Sequence, residues 1–243
     1  MLNRLKIWLK SSDSFLARKV FTFLKEIRTF EFPVIRPVHG LLYHCHKSFT
    51  ALVHGTLRFL YWTPLFKSQL NNNPKQLFVY SGIPLLIGPL KINMGDQCRI
   101  SGHTTLSGRH SRNFQPELTI GNNVDVSWQN EIFVGRKVII GNNVRMAVKV
   151  RLIGYPGHPV DANDRAKGLP DTEDQIGDII LEEDVWLAAG VTVMGDVTIG
   201  AGTIVATGSV VTKSLPAGVL AGGVPAKVIK TLPSTVPLEK QHG

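Results

Sequence analysis

The chain has 243 residues, 43% of them apolar and 19% charged, which suits one large globular domain with or without an appendage and excludes a disordered chain. Lys and Arg outnumber Asp and Glu by 27 to 18, giving a formal net charge of +9. Residues 1–70 carry a net charge of +8 and residues 71–243 a net charge of +1, so any attraction to an anionic partner is expected at the N-terminal part.

Cysteine content and hydropathy indicate the compartment. Two cysteines, Cys45 and Cys98, are too few for a disulfide framework and lack metal-ligand spacing, which favours a reducing compartment. Basic residues interrupt the apolar runs of the first 60 positions, so no stretch has the roughly 20 apolar residues of a spanning helix or the pattern of a signal peptide. We therefore expect a cytoplasmic protein that does not span a membrane.

The N-terminal region predicts a leader of basic amphipathic helices. Apolar residues recur at helical spacing in a short first helix and in a second one that Asp13 or Ser12 would cap. A third helical pattern, interrupted at Gly40 and Gly55, ends by Pro64. Such helices suit an anionic membrane surface, and packing against the rest of the protein is the alternative.

After about residue 80, an apolar residue recurs at every sixth position between Gly, Asn and Asp. Three sixes make a triangular coil of 18 residues whose recurring apolar side chain points inward, while Gly, Asn and Asp turn the corners. The count gives about five coils, at 94–111, 120–137, 140–157, 181–198 and 199–216. The sequence therefore predicts a mainly β fold, a parallel β-helix preceded by an α-helical N-terminal region.

Three parts of the chain follow from these patterns. We expect the leader to span residues 1–70 and the β-helix domain to span residues 71–231, with an inserted loop at 154–180. Residues 232–243 would form a C-terminal tail.

The repeat resembles that of the hexapeptide-repeat acyltransferases over roughly residues 82–231. The most specific segments lie in its second half: Tyr155–Val160 with its Gly-His-Pro motif, Asp184–Gly190, Val211–Lys213 and Ala221–Lys230. These are most similar to the sugar O-acetyltransferases, such as the galactoside, maltose and polysaccharide enzymes. The resemblance implies a left-handed β-helix, a homotrimer and acetyl-CoA as co-substrate. No metal is expected, because the ligand spacing of a three-histidine zinc site is not visible in the sequence.

The resemblance also implies roles for individual residues. His158 would be the general base for the acceptor hydroxyl, and the backbone N–H of Ala189 would stabilise the oxyanion. Asn130 would bind the acceptor sugar, and Trp186 would either pack beside the acyl group or cover a corner of the coil. The coenzyme would contact Ala189 and a row of residues beside the last two coils, namely Thr207, Thr212, Lys213, Lys227 and Lys230.

The function expected is an acetyl-CoA-dependent O-acetyltransferase acting on a hydroxyl of a cell-envelope, lipopolysaccharide or capsule sugar. A leader in peripheral contact with the inner face of the cytoplasmic membrane would favour a lipid-linked saccharide as acceptor. The alternatives are an N-acyltransferase of an amino sugar or nucleotide sugar, and a non-catalytic trimeric β-helix scaffold. Nucleic-acid binding is not expected, because the basic segment contains no recognisable nucleic-acid module.

Overall fold

A computed structural model describes the backbone of residues 2–233 and the side chains of residues 6–233. The expected tail at 232–243 lies almost entirely outside the described residues. The chain divides into two compact units, one ending at Thr50 and the other beginning at Ala51.

The first unit contains helices α1 (Leu2–Ser11) and α2 (Phe15–Thr29) and the first part of α3 (Arg36–Leu57). Its described side chains form almost no core, since Ala17 alone is buried among them. The predicted cap is wrong: Ser14 is the N-cap residue of α2 and its side chain makes no capping hydrogen bond. Asp13 is instead paired with the guanidinium of Arg18 at 2.6 Å.

The third helical pattern is continuous rather than interrupted. Gly40 and Gly55 both lie inside α3, where no neighbouring atom approaches the place of a Cβ atom. A π-helical turn, Arg58–Trp62, follows and leads into α4 (Thr63–Lys67), which has its proline in the first turn, where no helical N–H is needed. In the part of the chain that the structure describes, no helix combines the length and the apolarity needed to cross a membrane.

The second unit is built from short strands. In chain order these elements are β1 (Phe78–Tyr80), β2 (Leu85–Ile87), β3 (Lys91–Met94), β4 (Arg99–Ser101), β5 (Thr105–Gly108), β6 (Glu117–Ile120), β7 (Asp125–Val126), β8 (Glu131–Val134), β9 (Lys137–Ile140), β10 (Arg145–Met146), β11 (Arg151–Ile153), helix α5 (Ala162–Ala166), a 3-10 turn (Glu173–Gln175), β12 (Ile179–Leu181), β13 (Trp186–Leu187), β14 (Thr192–Met194), β15 (Val197–Ile199), β16 (Ile204–Val205), β17 (Val210–Val211), β18 (Val219–Gly223) and β19 (Ala226–Thr231).

Every third strand pairs in parallel, which produces three sheets around one axis. Sheet A has the order β1-β4-β7-β10-β13-β16-β18-β19, sheet B is formed by β2, β5, β8, β11, β14 and β17, and sheet C by β3, β6, β9, β12 and β15. One pairing is antiparallel, that of β18 with β19. The predicted fold class, a left-handed parallel β-helix after an α-helical region, is confirmed in this architecture.

The residues at every sixth position form the core of the coils. Each stacks on its equivalent one coil away; Leu152, for example, is in register with Ile132 on one side and Val193 on the other. All three side chains are fully buried, and burial of one such side chain contributes roughly 1.5–3 kcal/mol. The predicted inward set is confirmed as the core.

The coils begin earlier than the six-residue count places them. Five coils have three strands each and a sixth is incomplete, and the first starts at Phe78 rather than at Met94. The count missed this coil because its inward residues Val79 and Leu86 are seven positions apart, with Pro84 in the turn between them.

Each end of the coil stack is covered by its own chain segment. At the start, α4 contributes the fully buried side chain of Phe66 to the core. Next to it, the side-chain amides of Asn71 and Asn72 hydrogen-bond the backbone of β3 at distances of 2.7–3.0 Å. At the other end, β19 folds back along β18.

Candidate functional site

The turns that connect sheet A to sheet B stack on one another and are called here the A–B corner. The outermost residue of each turn belongs to a column, called here the corner column, whose members are Trp128, Val148, Ala189 and Thr207. The carbonyl groups of Trp128, Val148 and Ala189 each accept a backbone N–H from the turn of the next coil at 2.9 Å.

Among the described residues, the backbone N–H of Ala189 in this column donates no hydrogen bond. Its neighbours differ, since Ala188 donates to Val205 O at 3.0 Å and Gly190 donates to Val148 O at 2.9 Å. Other corner-column residues share this free N–H, so it is a property of the turn and not of Ala189 alone. A free backbone N–H is the kind of donor that an oxyanion site requires.

The turns from sheet B to sheet C, the B–C corner, carry both long insertions of the β-helix. Residues 109–116 connect β5 to β6, and residues 154–178 connect β11 to β12. His158 lies in the second insertion with an exposed side chain, and its carbonyl oxygen accepts a hydrogen bond from Gln175 Nε2 at 3.3 Å.

A buried ion pair ties the two insertions together. Arg109 Nε lies 2.5 Å from Asp171 Oδ1, Arg109 Nη2 donates to the Asp171 carbonyl at 2.7 Å, and Arg109 Nη1 lies 3.0 Å from Glu173 Oε1. The Arg109 and Asp171 side chains are only 7% and 4% exposed. Burial by itself would lower the pKa of Arg109, but the hydrogen bonds that Arg109 donates to Asp171 and Glu173, with the attraction of their charges, outweigh burial and raise that pKa. We call Arg109, Asp171 and Glu173 the insertion clasp.

The clasp reaches the residue before His158. The second carboxylate oxygen of Asp171 accepts the backbone N–H of Gly157 at 3.0 Å. Close by, the hydroxyl of Tyr155 lies 2.7 Å from Ser107 Oγ in β5. The backbone on the N-terminal side of His158 is therefore fixed to the B–C corner by buried or half-buried partners.

The structure divides the predicted site residues between the two corners. His158 lies at the B–C corner, and Thr212 and Lys213 follow β17 at the same corner two coils further on. Ala189 and Thr207 belong to the corner column, and Trp186 lies on β13 of sheet A, 48% exposed. Lys227 and Lys230 lie on β19 at the edge of sheet A. Within one chain, the width of sheet B, about six residues or roughly 20 Å, separates His158 from Ala189.

The burial and the hydrogen bonds of the Asn130 side chain argue against its predicted contact with the acceptor sugar. Its side chain is 0% exposed and points into the coil. There Oδ1 accepts the Val150 N–H at 2.7 Å, and Nδ2 donates to Ser127 O at 3.1 Å. Both ends of the amide are thus used by the backbone, so Asn130 supports the A–B corner instead of facing a ligand.

The clasp itself was not found by the sequence patterns. Arg109 and Asp171 are 62 positions apart and belong to no repeat, so neither spacing nor local composition marks them as partners. For a metal, the described residues contain no cluster of three or more His, Cys, Asp or Glu side chains that could hold one.

Comparison with known proteins identifies the repeat. A family model described as bacterial transferase hexapeptide (six repeats) matches residues 178–213. The galactoside O-acetyltransferase of Escherichia coli K12 is 35% identical over 115 residues, 47% of this chain and 54% of that protein. The galactoside O-acetyltransferase of Lactococcus lactis is 38% identical over 98 residues, 40% of this chain and 42% of that protein. The chain thus spans about half the length of these curated relatives.

The fold also matches a solved structure. A mutant of AntD, an N-acyltransferase from Bacillus cereus in complex with dTDP-4-amino-4,6-dideoxyglucose and coenzyme A, superposes with a TM-score of 0.56. The match covers 70% of this chain and 88% of that one at 20% sequence identity, and it shows a shared fold.

Proposed function

We propose that this chain, which carries hexapeptide repeats of the bacterial transferase type, is an acetyl-CoA-dependent O-acetyltransferase acting on a hydroxyl of a cell-envelope, lipopolysaccharide or capsule sugar. The observation that carries this proposal is an exposed imidazole, His158, on a loop whose backbone is held by a buried ion pair. A scaffold would gain nothing from fixing an exposed imidazole in this way. The similarity to two galactoside O-acetyltransferases favours a hydroxyl acceptor over an amine.

The proposed reaction is a direct transfer in which His158 moves one proton. Its imidazole takes the proton of the acceptor hydroxyl while the oxygen attacks the thioester carbonyl carbon. The resulting oxyanion accepts the free backbone N–H of Ala189. When the intermediate collapses, the carbon–sulfur bond breaks and the thiolate of coenzyme A leaves with the proton from the imidazolium. Trp186 would pack beside the acyl group.

The coenzyme is proposed to lie along the last two coils. Thr207, Thr212 and Lys213 are exposed there, and Lys227 and Lys230 are exposed on β19. Lysine suits this role because its ammonium group is a mobile point charge that can follow the phosphates. Next to these residues Gly208 leaves the backbone open to a narrow chain, since no atom lies within 4 Å of the place of a Cβ atom.

A homotrimer would complete the site. His158 and Ala189 occupy different corners of one chain, so a reaction that uses both needs the B–C corner of one copy beside the A–B corner of another. Sedimentation of the full chain should accordingly give three times its mass of 26.7 kDa. A monomer that retains full acetyl-transfer activity would contradict this arrangement.

We propose that the leader, predicted at residues 1–70 ahead of the β-helix domain at 71–231, contacts the inner face of the membrane through the compact unit that ends at Thr50. Trp8, Phe15 and Phe23 are each more than half exposed, and each nearby basic residue contributes about 1 kcal/mol at an anionic surface. In a flotation assay, the full chain should float with phosphatidylglycerol vesicles and should not float with phosphatidylcholine vesicles. The double variant Phe15→Asp, Phe23→Asp should stay in solution, while Leu169→Asp in the second insertion should float normally.

The catalytic proposal is tested with His158→Ala. The release of free thiol from acetyl-CoA is followed with a panel of hydroxyl sugars and amino sugars, and we expect a loss of about 10² to 10⁴-fold in kcat. His44→Ala, an exposed histidine of α3, is the matched control and should keep full activity. Unchanged turnover in His158→Ala would refute the mechanism, and turnover of amino sugars alone would favour N-acylation.

A further inference from the structure

A row of aromatic side chains follows sheet A toward the corner column. The ring centroids of Phe78 and Tyr80 are 6.0 Å apart, those of Tyr80 and Trp128 are 5.9 Å apart, and those of Trp128 and His103 are 4.9 Å apart in a stacked pair. We call these four residues the aromatic strip. Trp128 is 42% exposed and His103 is exposed, so the strip offers rings to solvent rather than to the core.

The strip begins at a cavity of about 300 Å³ between the end of α3, the π-helical turn and β1. This volume is at the lower end of the range for small-molecule sites, large enough for a single sugar ring. Residues that line it include His54, Arg58, Trp62, Phe78 and Tyr80.

Arg58 gives the cavity its charge. Its guanidinium carbon lies 4.3 Å from the centroid of the Phe78 ring, and no ion pair involves it among the described residues. No Asp or Glu lines this cavity or the neighbouring one of about 490 Å³, which Arg58 shares with Lys67. A cation stacked on an aromatic ring and facing no carboxylate is suited to an anionic group.

The combination of flat rings and an unpaired cation indicates the class of ligand. The C–H face of a sugar ring packs on an aromatic face, and its hydroxyls reach polar atoms such as the Tyr80 hydroxyl and the Trp128 indole N–H. A lipid chain would instead favour an apolar surface without His103 and Arg58. Trp128 in the strip belongs to the corner column and lies two coils from Ala189, about 10 Å at the usual strand spacing.

We propose that the cavity at Arg58 and the aromatic strip bind an anionic saccharide, with its sugar rings on the aromatic faces and its carboxylate or phosphate on Arg58. The assignment of this saccharide as the acetyl acceptor rests on the proposed function. The bound saccharide then extends from the end of α3 toward the backbone N–H of Ala189.

Binding is measured by calorimetry on the full chain without coenzyme, with three probes. Tetragalacturonate represents a uronic-acid saccharide, glucose 1-phosphate a sugar phosphate, and maltotetraose a neutral saccharide. We expect at least one anionic probe to bind about tenfold or more tightly than maltotetraose, the size of one charge-assisted hydrogen bond. The anionic probe that binds identifies the source of the charge.

Variants separate the two parts of the site. Arg58→Gln should weaken the binding of the anionic probe about tenfold and leave the binding of maltotetraose unchanged. Trp128→Ala should weaken the binding of both probes about tenfold, and Trp128→Phe should restore it. Arg112→Gln and Trp8→Ala are matched controls outside the site and should bind as the unaltered chain does.

Two results would overturn the proposal: anionic probes that bind no better than maltotetraose, or Arg58→Gln binding them within twofold of the unaltered chain. The outcome is independent of the catalytic proposal, because His158→Ala should bind the saccharide normally. Unchanged acetyl transfer in His158→Ala, with saccharide binding intact, would refute the proposed reaction and leave this site in place.

Discussion

The insertion clasp offers the sharpest test of how the loop bearing His158 is held. The substitution Asp171→Asn removes the negative charge that faces Arg109 at 2.5 Å in a site where both side chains are almost completely buried. Coulomb attraction at about 4 Å between charge centres is worth roughly 4 kcal/mol at an effective dielectric constant of 20, and breaking a buried pair costs about 3–5 kcal/mol. Glu173 stays with Arg109, but its side chain is 48% exposed and contributes less than about 1 kcal/mol. We expect a loss of about 3 kcal/mol.

This loss should be local, because the second insertion forms no part of the coil core. A change of about 3 kcal/mol corresponds to roughly a hundredfold rise in the opening equilibrium. Hydrogen exchange measured by mass spectrometry should therefore become about a hundredfold faster in peptides from residues 155–175, with peptides from β13 to β15 unchanged as an internal reference. In the acetyl-transfer assay, kcat should fall more than KM changes, since Gly157 and His158 lose their fixed backbone.

Glu173→Gln is the matched control, because it alters the exposed partner of the same guanidinium. It should change exchange in the insertion by less than about fivefold. If Asp171→Asn and Glu173→Gln gave the same small effect, the buried pair would not be what holds the loop.

Three further outcomes follow from buried groups of the β-helix. Burial raises the pKa of the Cys98 thiol, so iodoacetamide at pH 8 should label the exposed Cys45 in the native chain and reach Cys98 only after denaturation, as mass spectrometry of the labelled peptides will show. Asn130→Ala should lower the free energy of unfolding by about 1–3 kcal/mol in urea titrations without changing the KM for the acceptor. A raised KM would instead support the predicted contact between Asn130 and the acceptor sugar. Gly177→Ala should lower the melting temperature, because a Cβ atom there would overlap the backbone nitrogen of Asp196; an unchanged temperature would mean that this turn can shift.

The six-residue period made the coils predictable, since inward side chains at a fixed spacing are a local property of the sequence. Leu106, Leu152 and Val193 fall on this period and are fully buried. The six-residue count did not find the first coil, because a single extra residue between Val79 and Leu86 breaks the period.

The site was less predictable, because its geometry depends on contacts between distant segments. The motif around His158 is local and could be read, but the pairing of Arg109 with Asp171 spans 62 positions. Asn130 shows the opposite error: the family resemblance implied a contact with the acceptor sugar, and the structure shows that both ends of its amide are hydrogen-bonded to the backbone. A polar residue at a corner can serve the turn as well as a substrate, and sequence alone does not separate these roles.

The covered ends of the coil stack determine the direction in which copies of the chain can associate. Exposed strand edges are templates for pairing with further chains, and a parallel stack left open at both ends would grow into fibres. Here the amides of Asn71 and Asn72 occupy hydrogen-bonding groups of β3, and β19 covers β18 at the other end. End-to-end polymerisation is thereby hindered, and the flanks of the prism are left as the surfaces for assembly. Deleting either covering segment should turn a protein of limited size into one that aggregates along its axis.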